Sequence, residues 1–517
     1  RTLKSLVADL RYYTRSFNQQ HNLNVSAGWE AASGTTESTN AHYRGFPSGE
    51  FHSLNYAAEV YKKPTRTENT TRRVSVLASA NYTWNDIYLV DASVRFDGSS
   101  EFGANQKWAP FFSGGLGVNI HNYDFFKSNG YINKLKLRAS YGRTGKVNFP
   151  AYAATTMYET LFDEWYITGY GAVLKALGNK DLTWEKTDKL SVGIETKTFH
   201  DRLTVDFEYY YNKTIDLVND VTLSQTSGFS TYKDNMGQVA NKGVELKLRA
   251  DIYRDRNWNV ALWGNMAHNK NEILKISDSQ KAYNERVAAY YKNEALYQET
   301  LGLSHGAEYS VPLPQYEEGA SLTSIWAVRS LGIDPTTGKE IFLNRDGSIA
   351  DKWNAAQEVV VGNTEPKCSG AFGLNLSYKN WTLFASFLYE WGGQEYNQTL
   401  VNNVENADLV NKNVDLRVLT DRWKKPGDIA QFKDIKDRGM TTLPTSRFVQ
   451  DKALVRLNSL NVSYDFNRDW IKKHLRMNLL RLEASTSDLI NWSSIKQERG
   501  LSYPRSWKVE FSLKAQF

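Results

Sequence analysis

The sequence has 517 residues, but it contains few cysteines and prolines and no long apolar run. Its one cysteine, Cys368, excludes an internal disulfide framework and a zinc site built on cysteines. No apolar stretch reaches the roughly 18 residues that a membrane-spanning helix needs, which excludes a helical membrane protein. Neither sign of charge is in large excess, because 63 basic and 57 acidic residues leave a net charge of +6, and the basic residues form no block. Nucleic acid is therefore not an expected partner.

Aromatic residues are abundant, with 30 Tyr, 23 Phe and 15 Trp beside only 11 Pro. They occur in segments where apolar and polar residues alternate strictly, as over 88–97 and 244–251. The last segment sets Trp507, Val509, Phe511, Leu513, Ala515 and Phe517 against Lys508, Glu510, Ser512, Lys514 and Gln516. Alternation with a period of two places one set on each face of a β-strand. The sequence therefore predicts an all-β chain.

Fifteen such strands are predicted, and the connections between them alternate between short and long. The strands are 4–14, 21–32, 70–83, 86–97, 109–120, 132–142, 187–198, 202–214, 241–252, 257–268, 369–378, 381–391, 453–465, 475–486 and 505–517. The long loops are 33–69, 143–186, 215–240, 269–368, 392–452 and 487–504, whereas 98–108 and 121–131 are of medium length. Strands of about 10 residues with short turns at one end and long loops at the other are typical of a transmembrane antiparallel β-barrel.

The short-turn ends of the predicted strands are also rich in aromatic residues. They carry Tyr82, Trp84, Tyr88, Phe199, Tyr253, Trp258, Tyr378, Trp381 and Phe517. Such residues form girdles at the lipid–water interface of barrels, since their rings combine apolar area with a polar edge. A soluble sandwich or propeller also alternates along its strands, but its connections do not alternate so regularly in length. Because single-chain bacterial barrels have an even number of strands, fifteen predict an incomplete barrel.

Eight motifs follow one another along the chain. They are RFDGSSEFG (95–103), LKLRASYGRTG (135–145), GNKDLTWEKT (178–187), NMGQVANKGVEL (235–246), GIDPTTG (332–338), GNTEP (362–366), RWKKPG (422–427) and YPRS (503–506). In this order they resemble the C-terminal barrel portion of the SusC/RagA-like TonB-dependent transporters of Bacteroidota outer membranes. The resemblance covers essentially the whole of 1–517 as part of one barrel.

This resemblance implies a fold and a set of partners. About 15 of a probable 22 strands are present, and a plug domain and TonB box have no counterpart in the sequence, so we expect them on an N-terminal part of the same transporter. The resemblance further implies a SusD-like surface lipoprotein as a lid, the TonB system acting through the plug, and outer-membrane lipid around the barrel of a Gram-negative bacterium. Oligosaccharides or peptides are the implied substrates. A SusC-like barrel that serves as a structural scaffold in a larger outer-membrane complex is the alternative.

Candidate substrate-binding residues are aromatic side chains in the long loops and at their edges. Sugar rings stack on such platforms, and peptides bind them as well, whereas packing between loops or against a partner protein is the structural alternative. The candidates are Trp165, Tyr166, Tyr170, Tyr290, Tyr291, Trp391 and Tyr396.

Calcium is the one cofactor that the sequence offers, and it does so weakly. Asp97, Glu101, Asp334 and Asp346 lie in polar turns whose oxygens suit this ion, although a hydrogen-bonded turn without metal is favoured. The segment 302–306 matches the nucleophile pattern G-x-S-x-G, but nothing around it predicts the strand–turn–helix that this chemistry needs. We therefore predict no enzymatic activity, and no metal other than the possible calcium.

Overall fold

The computed structural model describes residues 2–16, 20–47, 53–127, 130–147, 149, 152–167, 169–222, 231–235, 237–276, 281, 316–354, 357–411, 414–436, 442–466, 468–496 and 507–516. Within these residues the chain forms 24 strands. They are β1 Thr2–Ser16, β2 His21–Arg44, β3 Glu59–Trp84, β4 Tyr88–Ser99, β5 Trp108–Asn119, β6 Ile132–Lys146, β7 Met157–Tyr166, β8 Gly169–Ala176, β9 Glu185–Thr198, β10 Leu203–Ile215, β11 Val218–Thr222, β12 Thr231–Asn235, β13 Gln238–Arg254, β14 Trp258–Lys275, β15 Ser324–Ile333, β16 Glu340–Leu343, β17 Ile349–Ala350, β18 Glu358–Asn363, β19 Cys368–Tyr378, β20 Trp381–Tyr396, β21 Val449–Asp465, β22 Leu479–Thr486, β23 Asn491–Ser493 and β24 Val509–Gln516.

Helices are short and lie between the strands. The α-helices span Asp124–Lys127, Gln398–Leu400, Arg417–Thr420 and Arg468–Leu475, and a π-helix spans Val401–Glu405. Single 3-10 turns span Leu54–Tyr56, Ile120–Asn122 and Ser446–Phe448. Among the described residues, no helix is long and apolar enough to cross a membrane.

One large sheet carries all fifteen strands that the sequence predicts. Its order is β1-β2-β3-β4-β5-β6-β9-β10-β13-β14-β19-β20-β21-β22-β24, and β23 adds to β21. Neighbours in the order are next to one another in the sequence apart from the loop strands between them, and they pair antiparallel, as β13 does with β14 and β19 with β20. The predicted fold class is therefore confirmed.

The predicted loop 33–69 is wrong in part, because strand pairing continues through much of it. β2 and β3 remain paired from Thr36↔Asn69 to Arg44↔Glu59. Most side chains of this extension are exposed on both faces, so neither face requires apolar residues. Alternation indicates a strand only where one face meets an apolar environment, so this extension carries no such signal.

The other long loops contain secondary structure of their own. β7 pairs with β8, β11 with β12, and β15–β18 form a four-stranded sheet. Between the predicted strands 453–465 and 475–486 lies a helix, Arg468–Leu475, and the second of these strands begins at Leu479 rather than at 475. This helix has Asp469 in its first turn and basic residues in its last, which complements the helix dipole.

The chain divides into two compact units. Unit 1 comprises Arg1–Gly117, Ser140–Lys189 and Thr214–Met236, and unit 2 comprises Val118–Ala139, Leu190–Lys213 and Gly237–Phe517. Each unit has a hydrophobic cluster formed largely by its loops. The cluster of unit 1 consists of Phe102, Ala109, Phe111, Phe149, Ala154, Leu182, Trp184 and Val218. The cluster of unit 2, here called the loop core, consists of Leu400, Val401, Val404, Ala407, Val418, Phe432 and Phe448.

The predicted gathering of aromatic residues at the short-turn ends is present in both units. In unit 1, Trp84 stacks on Tyr88 with ring centroids 5.3 Å apart. In unit 2, the centroids of Trp258 and Tyr378 are 4.2 Å apart, and Trp381 packs on Tyr464. Phe517 lies outside the described residues.

Candidate functional site

The large sheet of unit 2 has two chemically different faces. On β13, Val244, Leu246 and Leu248 alternate with Glu245 and Lys247, and the pairing register continues both sets across the neighbouring strands. We call these sets the apolar face and the polar face. On β24 the apolar side chains are largely exposed, as at Phe511, which is 75% exposed. An exposed face of large apolar residues requires an apolar surrounding.

Ion pairs bridge neighbouring strands on the polar face. The Arg138 guanidinium of β6 donates to Asp206, at 2.8 Å, and to Glu208, at 2.7 Å, both on β10. It crosses β9 at Gly193, where a Cβ atom would lie 2.8 Å from Arg138 Nε. The glycine therefore makes room for a charged bridge over three strands. Lys134 and Glu195 form a further pair between β6 and β9, at 2.6 Å.

Part of the polar face carries a pair of aromatic rings. Trp263 of β14 stacks on Phe384 of β20, with centroids 6.2 Å apart and planes inclined by 10°. Between them on β19 lies Gly373, where a Cβ atom would lie 2.6 Å from the indole ring. Arg249 of β13 lies directly opposite Trp263, and several other neighbours on this face carry amides or hydroxyls: Asn259, Asn265, Asn375, Ser377, Thr382 and Ser386. Aromatic rings among hydrogen-bonding groups suit a ligand rich in hydroxyls.

Two of the sequence motifs pack together in unit 1. Gly103, the end of RFDGSSEFG, donates its backbone N–H to the carbonyl of Leu182 in GNKDLTWEKT, at 3.1 Å. Beside this contact Phe102 stacks on Trp184 with centroids 4.2 Å apart. The backbone leaves no room for a Cβ atom at Gly103, because the carbonyl oxygen of Lys180 occupies that space. These motifs hold neighbouring loops together.

A third motif joins them through the amide of Asn235. Its Oδ1 accepts the backbone N–H of Thr183 at 2.8 Å, and its Nδ2 donates to the carbonyls of Thr183, at 3.0 Å, and Asp216, at 2.8 Å. Glu185 accepts the backbone N–H of Val218 nearby, at 3.0 Å. One side-chain amide therefore satisfies three backbone groups from separate segments.

In unit 2, the motif GIDPTTG packs against RWKKPG. The Trp423 indole N–H donates to the carbonyl of Pro335 at 2.8 Å, and the backbone N–H of Gly427 donates to the same oxygen at 2.9 Å. The ring of Trp423 covers Gly338, where a Cβ atom would lie 2.5 Å from it and where φ is +71°. Glycine is required there both for the left-handed backbone and for the close approach.

A buried ion cluster lies beside the loop core. Arg447 donates to Glu405 at 2.7 Å and to Glu340 at 2.9 Å, and its guanidinium lies 4.4 Å from the ring of Phe448. The side chain of Glu405 is fully buried, and those of Arg447 and Glu340 are 10% exposed. Burial by itself would lower the pKa of Arg447, but the two carboxylates outweigh it and raise that pKa above its usual value.

The motifs GNTEP and NMGQVANKGVEL meet at the loop end of β14. Glu365 accepts hydrogen bonds from the side chain of Asn269 and, at 3.1 Å, from the backbone N–H of Asn271. Asn271 also donates to Asn241 at 2.9 Å, and Tyr210 donates to Asn269 at 2.9 Å. The motif contacts described here join loops to one another, as at Trp423, loops to strands, as at Glu365, and strands to one another, as at Arg138, so each has an architectural role.

The predicted substrate-binding residues lie in different places. Trp165 and Tyr166 are on β7 and pair with Tyr170 and Gly169 of β8, so one hairpin brings three of the candidates together. Tyr170 is 62% exposed. Tyr290 and Tyr291 lie outside the described residues.

The two candidates on β20 are separated by burial, although the pairing of Trp391 with Ala453 and of Tyr396 with Val449 on β21 places both on the same face of the sheet. Tyr396 is half-buried and packs edge-on against Phe448 of the loop core, with centroids 6.0 Å apart. Trp391 pairs with Cys368 and, by strand alternation, shares the apolar face with Trp381 and Tyr389. The structure therefore places Tyr396 in packing against the loop core and Trp391 on the apolar face; substrate contact by either residue stays a prediction. The sequence does not predict the stacked pair on the polar face, because Trp263 and Phe384 lie on separate strands and meet only through the strand register.

Two of the calcium candidates bind cationic side chains. In unit 1, Asp97 accepts two hydrogen bonds from Arg95, at 2.6 and 2.9 Å, and Glu101 accepts one from Arg73 at 3.1 Å. Among the described residues, no group of three or more His, Cys, Asp or Glu side chains is arranged to hold a metal.

The other two calcium candidates stabilise tight turns in unit 2. Asp334 accepts a hydrogen bond from the backbone N–H of Thr336 at 2.9 Å, and this bond is the principal cause of its lowered pKa. Asp346 accepts hydrogen bonds from the hydroxyl and the backbone N–H of Ser348, and these bonds lower its pKa. Calcium binding by any of the four carboxylates stays a prediction.

Comparison with known proteins agrees with this architecture. Residues 2–479 match the family model "TonB dependent receptor-like, beta-barrel". TonB-dependent receptor P3 of Formosa agariphila is 28% identical over 504 residues, which are 95% of this chain and 48% of the relative. TonB-dependent receptor SusC of Bacteroides thetaiotaomicron is 29% identical over 255 residues, 47% of this chain and 25% of the relative.

A solved structure, that of the RagAB peptide transporter, shares the fold. It superposes with a TM-score of 0.81 at 22% identity and covers 100% of this chain and 55% of its own. The chain thus spans about half the length of P3 and of this structure. The chain belongs to the TonB dependent receptor-like β-barrel family of outer-membrane proteins, as its motifs predict.

Proposed function

We propose that this chain is part of a TonB-dependent, SusC-like importer of oligosaccharides or peptides, in which its sheet forms part of the barrel wall and its loops form a docking surface for a lid. The observation that carries the proposal is the two-faced sheet. Charged bridges such as Arg138 with Asp206 and Glu208 would be very costly in lipid, so the polar face lines the lumen and the apolar face meets the bilayer.

The fastened loops support a role in docking a lid. Loop segments held by Arg447, Trp423 and Asn235 present a preorganised surface, which lowers the entropy cost of binding a partner. A SusD-like surface lipoprotein is the partner that we propose, since SusC is among the relatives. In this proposal TonB acts through a plug on an N-terminal part of the same transporter.

Oligosaccharides are the substrate class that the polar face favours. The stacked Trp263 and Phe384 offer flat apolar rings to the C–H faces of sugars, while the surrounding amides and hydroxyls match sugar hydroxyls. A peptide would find the same groups adequate, and RagAB, whose fold is shared, is a peptide transporter by name.

Uptake by living cells tests the proposal. The full-length transporter in its native host is compared with Trp263→Ala on the polar face and with Trp258→Ala on the apolar face of the same strand. We expect labelled oligosaccharide to accumulate in the wild type and in Trp258→Ala, to fall several-fold in Trp263→Ala, and to stop when a protonophore removes the energy supply.

The partner is tested on the same strains by extracting the transporter in detergent and mapping the peptides of co-purifying proteins. A SusD-like lipoprotein is the expected finding. If uptake is unchanged when the gene of this transporter is deleted, and the co-purifying proteins are unrelated to transport, the importer proposal is wrong and the scaffold function is favoured.

A further inference from the structure

Two lysines oppose one another on the apolar face near its loop end. Lys242 of β13 pairs directly with Lys270 of β14, and both side chains are exposed. Directly opposite residues in an antiparallel pair have Cβ atoms about 5 Å apart, and like charges at that distance destabilise the pair. An anion between the two ammonium groups would remove this repulsion.

A third lysine lies close to this pair, beside a groove in the surface of unit 2. Lys367 stands just before β19, and its methylene stem lies along Gly392, with its Cδ 3.1 Å from the position of a Cβ there. Lys270, Lys367 and Trp391 are among the residues that line an open groove of ≈ 570 Å³. His268 lines it as well and hydrogen-bonds the carbonyl of Lys367 through Nδ1, at 2.7 Å.

The protein balances the positive charge of this lysine cluster only at Lys270, which lies 3.3 Å from Glu272. Among the described residues no carboxylate is within ion-pair distance of Lys242 or Lys367. Two carboxylates line the groove, and both accept hydrogen bonds from amides: Glu365 from β14, and Asp451 from Gln394 at 3.0 Å.

Cations at strand ends elsewhere in the chain differ in this respect. In unit 1, Arg143 is paired with Asp188 at 2.6 Å, and Lys186 with Asp216 at 3.0 Å. These two cations are paired with carboxylates, whereas Lys242 and Lys367 have no such partner among the described residues.

The groove continues an apolar surface that meets lipid in this family. Phe372 and Phe387 stack with centroids 5.2 Å apart, Tyr389 lies beside them, and Trp391, at 67% exposed, stands at the loop-side limit of the strand. Tyrosine and tryptophan mark the interface level of a barrel, so the lysines lie at the level of lipid headgroups. Their stems can lie on apolar surface while the ammonium groups reach phosphate oxygens.

We propose that Lys242, Lys270 and Lys367 bind the phosphate group of an acylated lipid of the outer leaflet, whose chains lie on the apolar face below Trp391. The charge of the cluster fits an anion, and its continuity with the lipid-facing surface fits an anion that carries acyl chains. The site is distinct from the lumen and from the proposed route of substrate.

Native mass spectrometry of the full-length transporter tests the site. Detergent-solubilised protein is titrated with lipid A, which bears phosphates, and in parallel with dephosphorylated lipid A. We expect retention of the phosphorylated lipid, with binding about fivefold weaker for each lysine changed to glutamine and about 100-fold weaker for the triple variant Lys242→Gln, Lys270→Gln, Lys367→Gln.

Lys247→Gln is the matched control, because Lys247 lies on the same strand but on the polar face. It should bind lipid A as the wild type does. Equal binding by the wild type and the triple variant, equal loss in the control, or equal retention of dephosphorylated lipid A would each overturn the proposal. So would displacement of bound lipid A by millimolar inorganic phosphate, since that would identify a free-anion site.

Discussion

Removing the positive charge from the buried cluster beside the loop core should release the surrounding loops. In Arg447→Met the side chain keeps a similar length, but fully buried Glu405 and nearly buried Glu340 lose the guanidinium that lies 2.7 and 2.9 Å away. Breaking a buried ion pair by removing one partner costs about 3–5 kcal/mol, because the remaining charge is buried without compensation.

Hydrogen exchange on the full-length protein measures this cost locally. A factor of ten in an equilibrium corresponds to about 1.4 kcal/mol, so we expect amide protection in Glu340–Leu343 and Ser446–Phe448 to fall about 100-fold or more. Exchange in the large sheet should not change.

Two comparisons make the result specific to the charge. The triple variant Glu340→Gln, Arg447→Met, Glu405→Gln removes all three charges and should regain most of the protection, since neutral replacements of buried ion clusters are often tolerated. Arg329→Met changes an exposed arginine of the adjoining sheet and should have no effect. A loss of less than tenfold in Arg447→Met, or an equal loss in the triple variant, would refute the reasoning.

Three further predictions concern the lipid face, a turn and a glycine. Leu513→Arg on the apolar face of β24 should destabilise folding into vesicles by about 2–4 kcal/mol near the bilayer midplane, whereas Ser512→Arg on the polar face should cost far less in the same urea titration. Asp415 has a pKa held well below its usual range, chiefly by the Arg417 side chain, so its contribution is complete above about pH 4 and is lost as the pH falls through the lowered pKa. Exchange of Arg417–Thr420 should rise over that range, and Asp415→Asn should abolish the pH dependence. Gly373→Ala should destabilise by about 1–3 kcal/mol in thermal unfolding because its methyl group would meet the backbone carbonyl of Ala385 and, at 2.6 Å, the indole ring of Trp263, whereas Gly264→Ala, with its nearest atom at 3.6 Å, should be tolerated.

Strand positions were predictable wherever the two faces of a strand meet different surroundings. On β13 the alternation of Val244 and Leu246 with Glu245 and Lys247 reports lipid on one side and water on the other. Beyond the bilayer both faces meet water, so the continuation of β2 to Arg44 has no such signal. Period-two patterning reports a difference in environment and not the strand itself.

The candidate site was only partly predictable. Loop aromatics such as Tyr170 and Tyr396 look alike in sequence, but one is exposed and the other packs on the loop core. Trp263 and Phe384 are 121 positions apart in the sequence. Their stacking requires a strand register that places Gly373 between them. Such a juxtaposition depends on which strands pair after a long loop, and local periodicity does not contain that information.

The sequence by itself determined the fold class, the fifteen strands of the large sheet and the family, because alternation and short motifs are local signals. Tertiary structure alone decided what the motifs do. Trp423 covers Gly338 and Asn235 binds the backbone of Thr183 only after distant loops have met. It also decided that Lys242 and Lys270 face each other, since cross-strand register is set by pairing along whole strands and is not encoded in either residue's neighbours.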